Sequence, residues 1–203
     1  MTKYQKIFSL RGICVIFLCS VGSCYFYNSL LTVLATVLPE EIMGSYFERI
    51  YQSGIGREWK QTIKSIVLAP LAEEILYRGI LFEFFKRKIF LFQPYQRAYW
   101  GANILQALLF GILHWNLIQG IYAFLCGLLL GFMVDLFQSL LPAILTHMLI
   151  NILSVFTWSF VAEWTGGRTE VFLVFSLFMF ICITEGICLG KEYREKNMSL
   201  ENN

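Results

Sequence analysis

The feature that most constrains the fold is a series of apolar runs long enough to cross a lipid bilayer. The first continues without a charge from Gly12 to Leu38, beyond the roughly 20 residues that a spanning helix needs. Of the 203 residues 57% are hydrophobic and 15% are charged, whereas soluble domains average about 45–50% and 25%. The chain is therefore predicted to be one all-α integral-membrane domain, residues 1–203, folded as a polytopic helical bundle.

Six membrane spans and one amphipathic interfacial helix are predicted. The spans are Gly12–Leu38, Gln61–Phe85, Trp100–His114, Gly120–Val134, Leu140–Phe160 and Val171–Gly190. Between the first two, residues 39–56 mix acidic and apolar side chains in the pattern of a helix that lies at the membrane surface. A basic start before an apolar run also suits a signal peptide, but this run is longer than the roughly 7–15 apolar residues of such a peptide.

The distribution of basic residues predicts the orientation of the chain. Six spans place both termini on one side of the membrane. The amino-terminal segment, the 86–98 loop and the carboxy-terminal tail, all on that side, hold ten of the sixteen Lys and Arg residues. By the positive-inside rule both termini are expected in the cytoplasm.

Charge and cysteine content exclude several classes of function. The net charge of +2 is too small to indicate a nucleic-acid partner, so the lipid bilayer is the expected environment. None of the six cysteines forms a CxxC pair, and all lie in apolar runs, which indicates neither a disulfide framework nor redox chemistry. The oligomeric state is left open.

Three ionisable residues lie inside the second predicted span. Placing one such side chain at the centre of a bilayer costs roughly 2.5–3.5 kcal/mol, so the group Glu73, Glu74 and Arg78 requires a physical explanation. Glu74 and Arg78 are four residues apart on a helix and can neutralise each other. Glu73 points about 100° away and is free to face a cavity. One carboxylate is therefore expected to be structural and the other to do chemistry.

Both histidines also fall in predicted spans. His114 ends the third span, whereas His147 lies in the fifth, four residues before Asn151 on the same helical face. A rise of about 1.5 Å per residue places these side chains and Glu73 at depths from about 10 to about 21 Å in a hydrocarbon core of about 30 Å. Helix tilt can close that spread, so one polar cavity within the membrane is feasible.

This set of side chains suits the hydrolysis of an amide bond by water. Glu73 can take a proton from water with the help of His114, while His147 and Asn151 can donate hydrogen bonds to the resulting oxyanion. One alternative is a polar network that only holds helices together. Another is a zinc site built from Glu73, Glu74 and the two histidines, although the chain has no HExxH motif.

Three motifs taken together resemble the signature of a known family. They are Glu73-Glu74-xxx-Arg78, Phe110-xxx-His114 and His147-xxx-Asn151, in this order and in separate spans. The pattern is similar to that of the CPBP (or Abi) family of intramembrane proteases, which includes CAAX prenyl endopeptidases and bacterial proteins of bacteriocin processing or immunity. The resemblance covers about residues 60–160, which we interpret as the catalytic core.

The resemblance implies an intramembrane endopeptidase of the metal-independent glutamic type, with no cofactor. In it Glu73 and His114 activate water, His147 and Asn151 form the oxyanion hole, and Glu74 with Arg78 supports the site. A compact bacterial member in the cytoplasmic membrane is expected, acting on a small peptide precursor or a membrane-associated peptide or lipopeptide rather than a prenylated protein. The alternative is a non-proteolytic immunity or signalling-modulator protein that uses the same network structurally.

Overall fold

The described part of the chain consists of helices joined by turns and short loops. A computed structural model describes residues 7–89 and 91–165, in which no strand occurs. The all-α prediction is confirmed for these residues. The helices are α1 (Leu10–Val37), α2 (Glu40–Gln52), α3 (59–89), α4 (Tyr95–Ile112), α5 (Leu117–Phe137) and α6 (Leu140–Thr165).

Two of the described helices, α1 and α5, are long and apolar enough to cross a membrane. Helix α6 contains a shorter apolar stretch, Leu140–Phe156. Helices α3 and α4 are more polar, because they carry the ionisable cluster and buried amides. The count of six spans therefore stays a prediction, and the sixth predicted span, Val171–Gly190, lies outside the described residues.

The main hydrophobic core joins α1, α5 and α6. Val15 of α1, Leu130 of α5 and Ala143 of α6 are fully buried in one cluster. Between helices in a bilayer such contacts stabilise through close van der Waals packing, because lipid tails are as apolar as these side chains. This core fixes α6, and with it His147 and Asn151, against the rest of the bundle.

Helix α2 is the predicted amphipathic helix. Acidic residues occupy its first turn and Arg49 its last turn, which suits the helix dipole. Its buried face, Met43 and Tyr46, packs against α1 and the start of α5. The helix is followed by Gly54, whose φ of 71° favours glycine. The packing places the last turn of α2 beside the connection between α4 and α5.

Helix α3 alternates between α-helical and π-helical turns. The residues at its inner junctions, Lys64, Ala69 and Ile75, all keep right-handed helical backbone angles, so the chain continues as one helix. In the first wide turn, the Ala69 N–H donates to the carbonyl of Lys64, five residues back. Pro70 has no N–H to continue this pattern, which leaves the carbonyl of Ser65 available to another donor.

A line of small residues lets α4 and α5 approach closely. A Cβ atom added at Gly111 would lie 2.7 Å from the carbonyl oxygen of Gly120. A Cβ added at Gly131 would lie 1.9 Å from Oδ1 of Asn103. Gly127 and Gly131, four residues apart in α5, therefore form a close helix–helix contact with α4.

Candidate active site

A buried hydrogen-bond network of three side chains, Arg78, Glu74 and His147, joins α3 to α6. Arg78 Nη1 donates to Glu74 Oε1 at 2.8 Å, and His147 Nδ1 contacts the same oxygen at 2.8 Å. The side chains of Glu74 and Arg78 are fully buried, and that of His147 is nearly so. Because an ionised carboxylate only accepts hydrogen bonds, we infer that Nδ1 of His147 carries a proton. The arrangement fixes the orientation of the imidazole.

Glu73 faces a different direction from its neighbour Glu74. Its side chain is 32% exposed, whereas that of Glu74 is fully buried. Its Oε2 lies 3.8 Å from Nε2 of His147, which is too long for a direct hydrogen bond. His147 therefore lies between a structural carboxylate on one side and an accessible carboxylate on the other.

His114 follows the end of α4 and is held by its own helix. Its Nδ1 lies 2.6 Å from the carbonyl oxygen of Phe110, one turn back. A carbonyl only accepts, so Nδ1 is the protonated nitrogen, and Nε2 of the neutral ring is left as a base or acceptor. The ring is half-buried and packs edge-on against Phe110 at 4.7 Å between centroids.

Asn151 bonds across to α3 one turn after His147. Its Nδ2 donates to the carbonyl oxygen of Ser65 at 3.1 Å. This is the carbonyl that the wide turn and Pro70 leave without a main-chain donor. The bond therefore serves the packing of α6 against α3, and it also fixes the direction of the amide group, whose second N–H is still available.

Phe110 is the common packing partner of the site. Its ring lies edge-on to both imidazoles, with His147 at 5.9 Å, and edge-on to Tyr77 at 4.8 Å. The guanidinium of Arg78 lies over its face at 4.6 Å from the centroid. Such a cation–π contact contributes about 2 kcal/mol or more when desolvated. One buried aromatic ring therefore sets the relative position of His114, His147 and Arg78.

Glu73 and His114 line the same cavity. Its volume is about 420 Å³, within the roughly 300–1,000 Å³ of small-molecule sites. The walls come from α2, α3, α4 and the connection to α5. Besides those two residues, they are Arg49, Ile50, Ser53, Ile55, Tyr77, Phe110, Leu113, Trp115 and Gln119. His147 and Asn151 are not among the described residues of this lining. The structure thus brings the two groups proposed to activate water into one open space.

Two buried amides of α4 are functional candidates that the sequence reasoning missed. Gln106 Nε2 donates to the carbonyl of Gly127 at 2.9 Å, and Asn103 Nδ2 donates to that of Leu128 at 3.0 Å. Both side chains are fully buried. Gln106 lies four residues and Asn103 seven residues before Phe110, which places all three on one helical face, and this spacing is the signal that could have identified them. The amides hold α4 against α5 and so fix the height of Phe110.

The ionisable groups of the site also bear on metal binding. Within the described ranges 7–89 and 91–165, no group of three or more His, Cys, Asp or Glu side chains is arranged to hold a metal ion. Two of the side chains in the alternative zinc site already have partners. Glu74 bonds to both His147 and Arg78, and His147 bonds to Glu74.

Comparison with known proteins gives one positive result. Residues 55–153 match a family model described as type II CAAX prenyl endopeptidase Rce1-like. No curated protein and no solved structure matches the chain. The matched segment contains all three motifs, so the resemblance drawn from them is confirmed. The match supports a protease, and the apolar helices agree with a membrane protein. Over residues 55–153, the chain is similar to the Rce1-like type II CAAX prenyl endopeptidases.

Proposed function

We propose that this protein is an intramembrane endopeptidase that hydrolyses a peptide bond with water activated by Glu73 and His114. The observation that carries the proposal is the shared cavity, which both side chains line. An accessible carboxylate can accept a proton from water, and the Nε2 atom of His114 can orient the same water or share its proton. Neither side chain forms a hydrogen bond within the buried network of Arg78, Glu74 and His147.

The second pair of residues is proposed to receive the negative charge of the tetrahedral intermediate. His147 Nδ1–H is committed to Glu74, so donation to an oxyanion uses Nε2–H of a doubly protonated ring, which Glu74 stabilises. Asn151 has one N–H on the Ser65 carbonyl and a second one to offer. Each oxyanion donor of this type contributes about 10²–10³ in rate.

The proposed substrates are peptides at the membrane. The cavity accommodates a short peptide segment, and the family description adds peptides with a prenylated cysteine to the candidates. We propose a small peptide precursor or a membrane-associated peptide as the substrate, in a multi-pass cell-membrane protein with both termini in the cytoplasm. The mechanism requires no metal, because Glu73 supplies the base and His147 with Asn151 the oxyanion contacts.

The proposal is tested with purified protein in lipid nanodiscs and a library of membrane-associated peptides. Half of the library carries an S-farnesyl cysteine and half does not, and products are identified by mass spectrometry. Glu73→Gln and His114→Ala are expected to lower cleavage by at least about 10²-fold, since a general base contributes about 10²–10⁴. Glu83→Gln is the matched control, because this carboxylate pairs with Lys86 and Arg87 and does not line the cavity.

The outcome also separates the proteolytic function from the alternative. Unchanged cleavage by Glu73→Gln protein would refute the proposed mechanism. An immunity or signalling role without proteolysis predicts an effect in cells that survives both substitutions, because such a role needs only the packing of the polar network. The endopeptidase predicts that the cellular effect and the cleavage are lost together.

A further inference from the structure

The cavity is lined by an arginine, Arg49, that has no role in the proposed mechanism. Arg49 lies in the last turn of α2 and lines the cavity together with Glu73 and His114. Among the described residues it has no acidic partner within salt-bridge distance and no hydrogen bond from its guanidinium. It lies outside the segment that matches the family model.

The other arginines around the site are already engaged. Arg78 is buried against Glu74. Arg57, in the loop after α2, lies over the ring of Tyr51 at 3.8 Å from the centroid and donates to the carbonyl of that residue. Of these three arginines, Arg49 is the one that lines the cavity. A guanidinium is a planar set of donors that matches a carboxylate and can bind it through two parallel hydrogen bonds.

We propose that Arg49 determines substrate specificity by binding a carboxylate of the peptide while the scissile bond lies at Glu73. This inference rests on the proposed function. Among the described residues of the walls, the other acidic or basic side chain besides Arg49 and His114 is Glu73, whose carboxylate repels a second carboxylate and so directs that group towards Arg49. Arg49 thereby sets which end of the peptide lies towards α2.

The carboxylate bound at Arg49 belongs to the peptide whose scissile bond lies at Glu73. Two sources offer the same chemistry: the α-carboxylate at the end of the peptide, and the side chain of an aspartate or glutamate.

The test measures binding separately from cleavage. Glu73→Gln protein in nanodiscs is incubated with a hexapeptide library that is randomised over non-acidic residues. The library has three forms: a free carboxy terminus, a carboxy-terminal amide, and an amide with one aspartate. Retained peptides are counted by mass spectrometry. We expect about tenfold more retention of one carboxylate form than of the plain amide, since a charge-assisted hydrogen bond is worth at least that factor. The form retained identifies the source of the carboxylate.

Substitution then assigns the selectivity to one side chain. Adding Arg49→Gln is expected to bring the retention ratio close to one. Adding Lys60→Gln, which removes an exposed cation outside the cavity, is expected to leave the ratio unchanged. A ratio that Arg49→Gln does not alter would overturn the proposal. So would equal retention of all three forms with Arg49 present, which is the result expected if Arg49 binds lipid phosphate instead.

A cleavage assay of the same library with Glu73 intact keeps the two proposals distinguishable. Cleavage that does not depend on Glu73 ends the proposed mechanism, whereas the retention ratio still reports on Arg49. Cleavage that depends on Glu73 but shows no preference between acid and amide forms rejects the role of Arg49 alone.

Discussion

Glu73 and Glu74 allow one substitution to be compared at two adjacent positions with opposite expected results. Changing Glu74 to Gln removes the negative charge beside Arg78 but keeps the size of the side chain. Both side chains are fully buried, and Nη1 of Arg78 lies 2.8 Å from Oε1 of Glu74. The guanidinium would then remain buried without its counterion. Removing one partner of a buried pair costs about 3–5 kcal/mol.

The magnitude can be converted into a shift of the unfolding temperature. For a chain of roughly 150–250 residues, 1 kcal/mol corresponds to about 2–4 °C, so Glu74→Gln should lower the midpoint by about 6–20 °C. Glu73→Gln should change the free energy of unfolding by less than about 1 kcal/mol, because this carboxylate is partly exposed and Nε2 of His147 lies 3.8 Å away, beyond hydrogen-bond distance. Only the second variant should combine a normal fold with lost cleavage.

The assay is thermal unfolding of both variants in the same nanodiscs, followed by tryptophan fluorescence. A double variant, Glu74→Leu with Arg78→Met, completes the design. Replacing a buried ion pair with apolar residues is often neutral or stabilising, so much of the lost stability should return. Cleavage should not return, because His147 has lost the acceptor that orients it. Equal destabilisation by Glu73→Gln and Glu74→Gln would refute the division between a structural and a chemical carboxylate.

Three further predictions follow from the helix contacts and the site. Gly131→Ala should destabilise the fold by about 1–3 kcal/mol, since the new Cβ would overlap Asn103 Oδ1. Gly44→Ala is the control, because nothing lies within 4 Å of a Cβ atom added there. If the Gly131→Ala and Gly44→Ala variants unfolded at the same temperature, the close contact between Gly131 and Asn103 would be contradicted. Asn151→Ala should lower both stability, through the lost donor to the Ser65 carbonyl, and the rate of cleavage. A loss of stability with an unchanged rate would restrict this amide to packing. Extensive chelation should leave cleavage unchanged in samples shown by elemental analysis to be metal-free, whereas recovery only on adding zinc would favour the metalloprotease alternative.

Much of the helical framework follows from the periodicity and length of apolar runs. The first predicted span, Gly12–Leu38, agrees with α1 within two residues at each end, because nothing interrupts the apolar run. The pairing of Glu74 with Arg78 follows from helical spacing alone. These features are local, so the sequence is sufficient to predict them.

The bonds between helices were beyond sequence reasoning. Pro70 is visible in the sequence, but the consequence that Ser65 accepts from Asn151 depends on which helix packs against α3 and at what height. The role of Phe110 likewise depends on contacts with three helices. The sequence places Arg49 only within the predicted amphipathic helix, because its position in the cavity depends on how α2 packs against the other helices. Such contacts follow from tertiary packing and not from local pattern.

The adjacency of the two carboxylates explains how one helix serves both stability and chemistry. Consecutive residues on a helix point about 100° apart, so a single step along α3 turns from the interior, where Glu74 bonds to Arg78 and His147, to the cavity, where Glu73 is accessible. His147 contacts Glu74 through one nitrogen and approaches Glu73 with the other. A proton gained or lost at Glu73 therefore changes the charge next to His147 without breaking the buried pair. The fold can thus remain constant while the charge in the cavity changes during a reaction cycle.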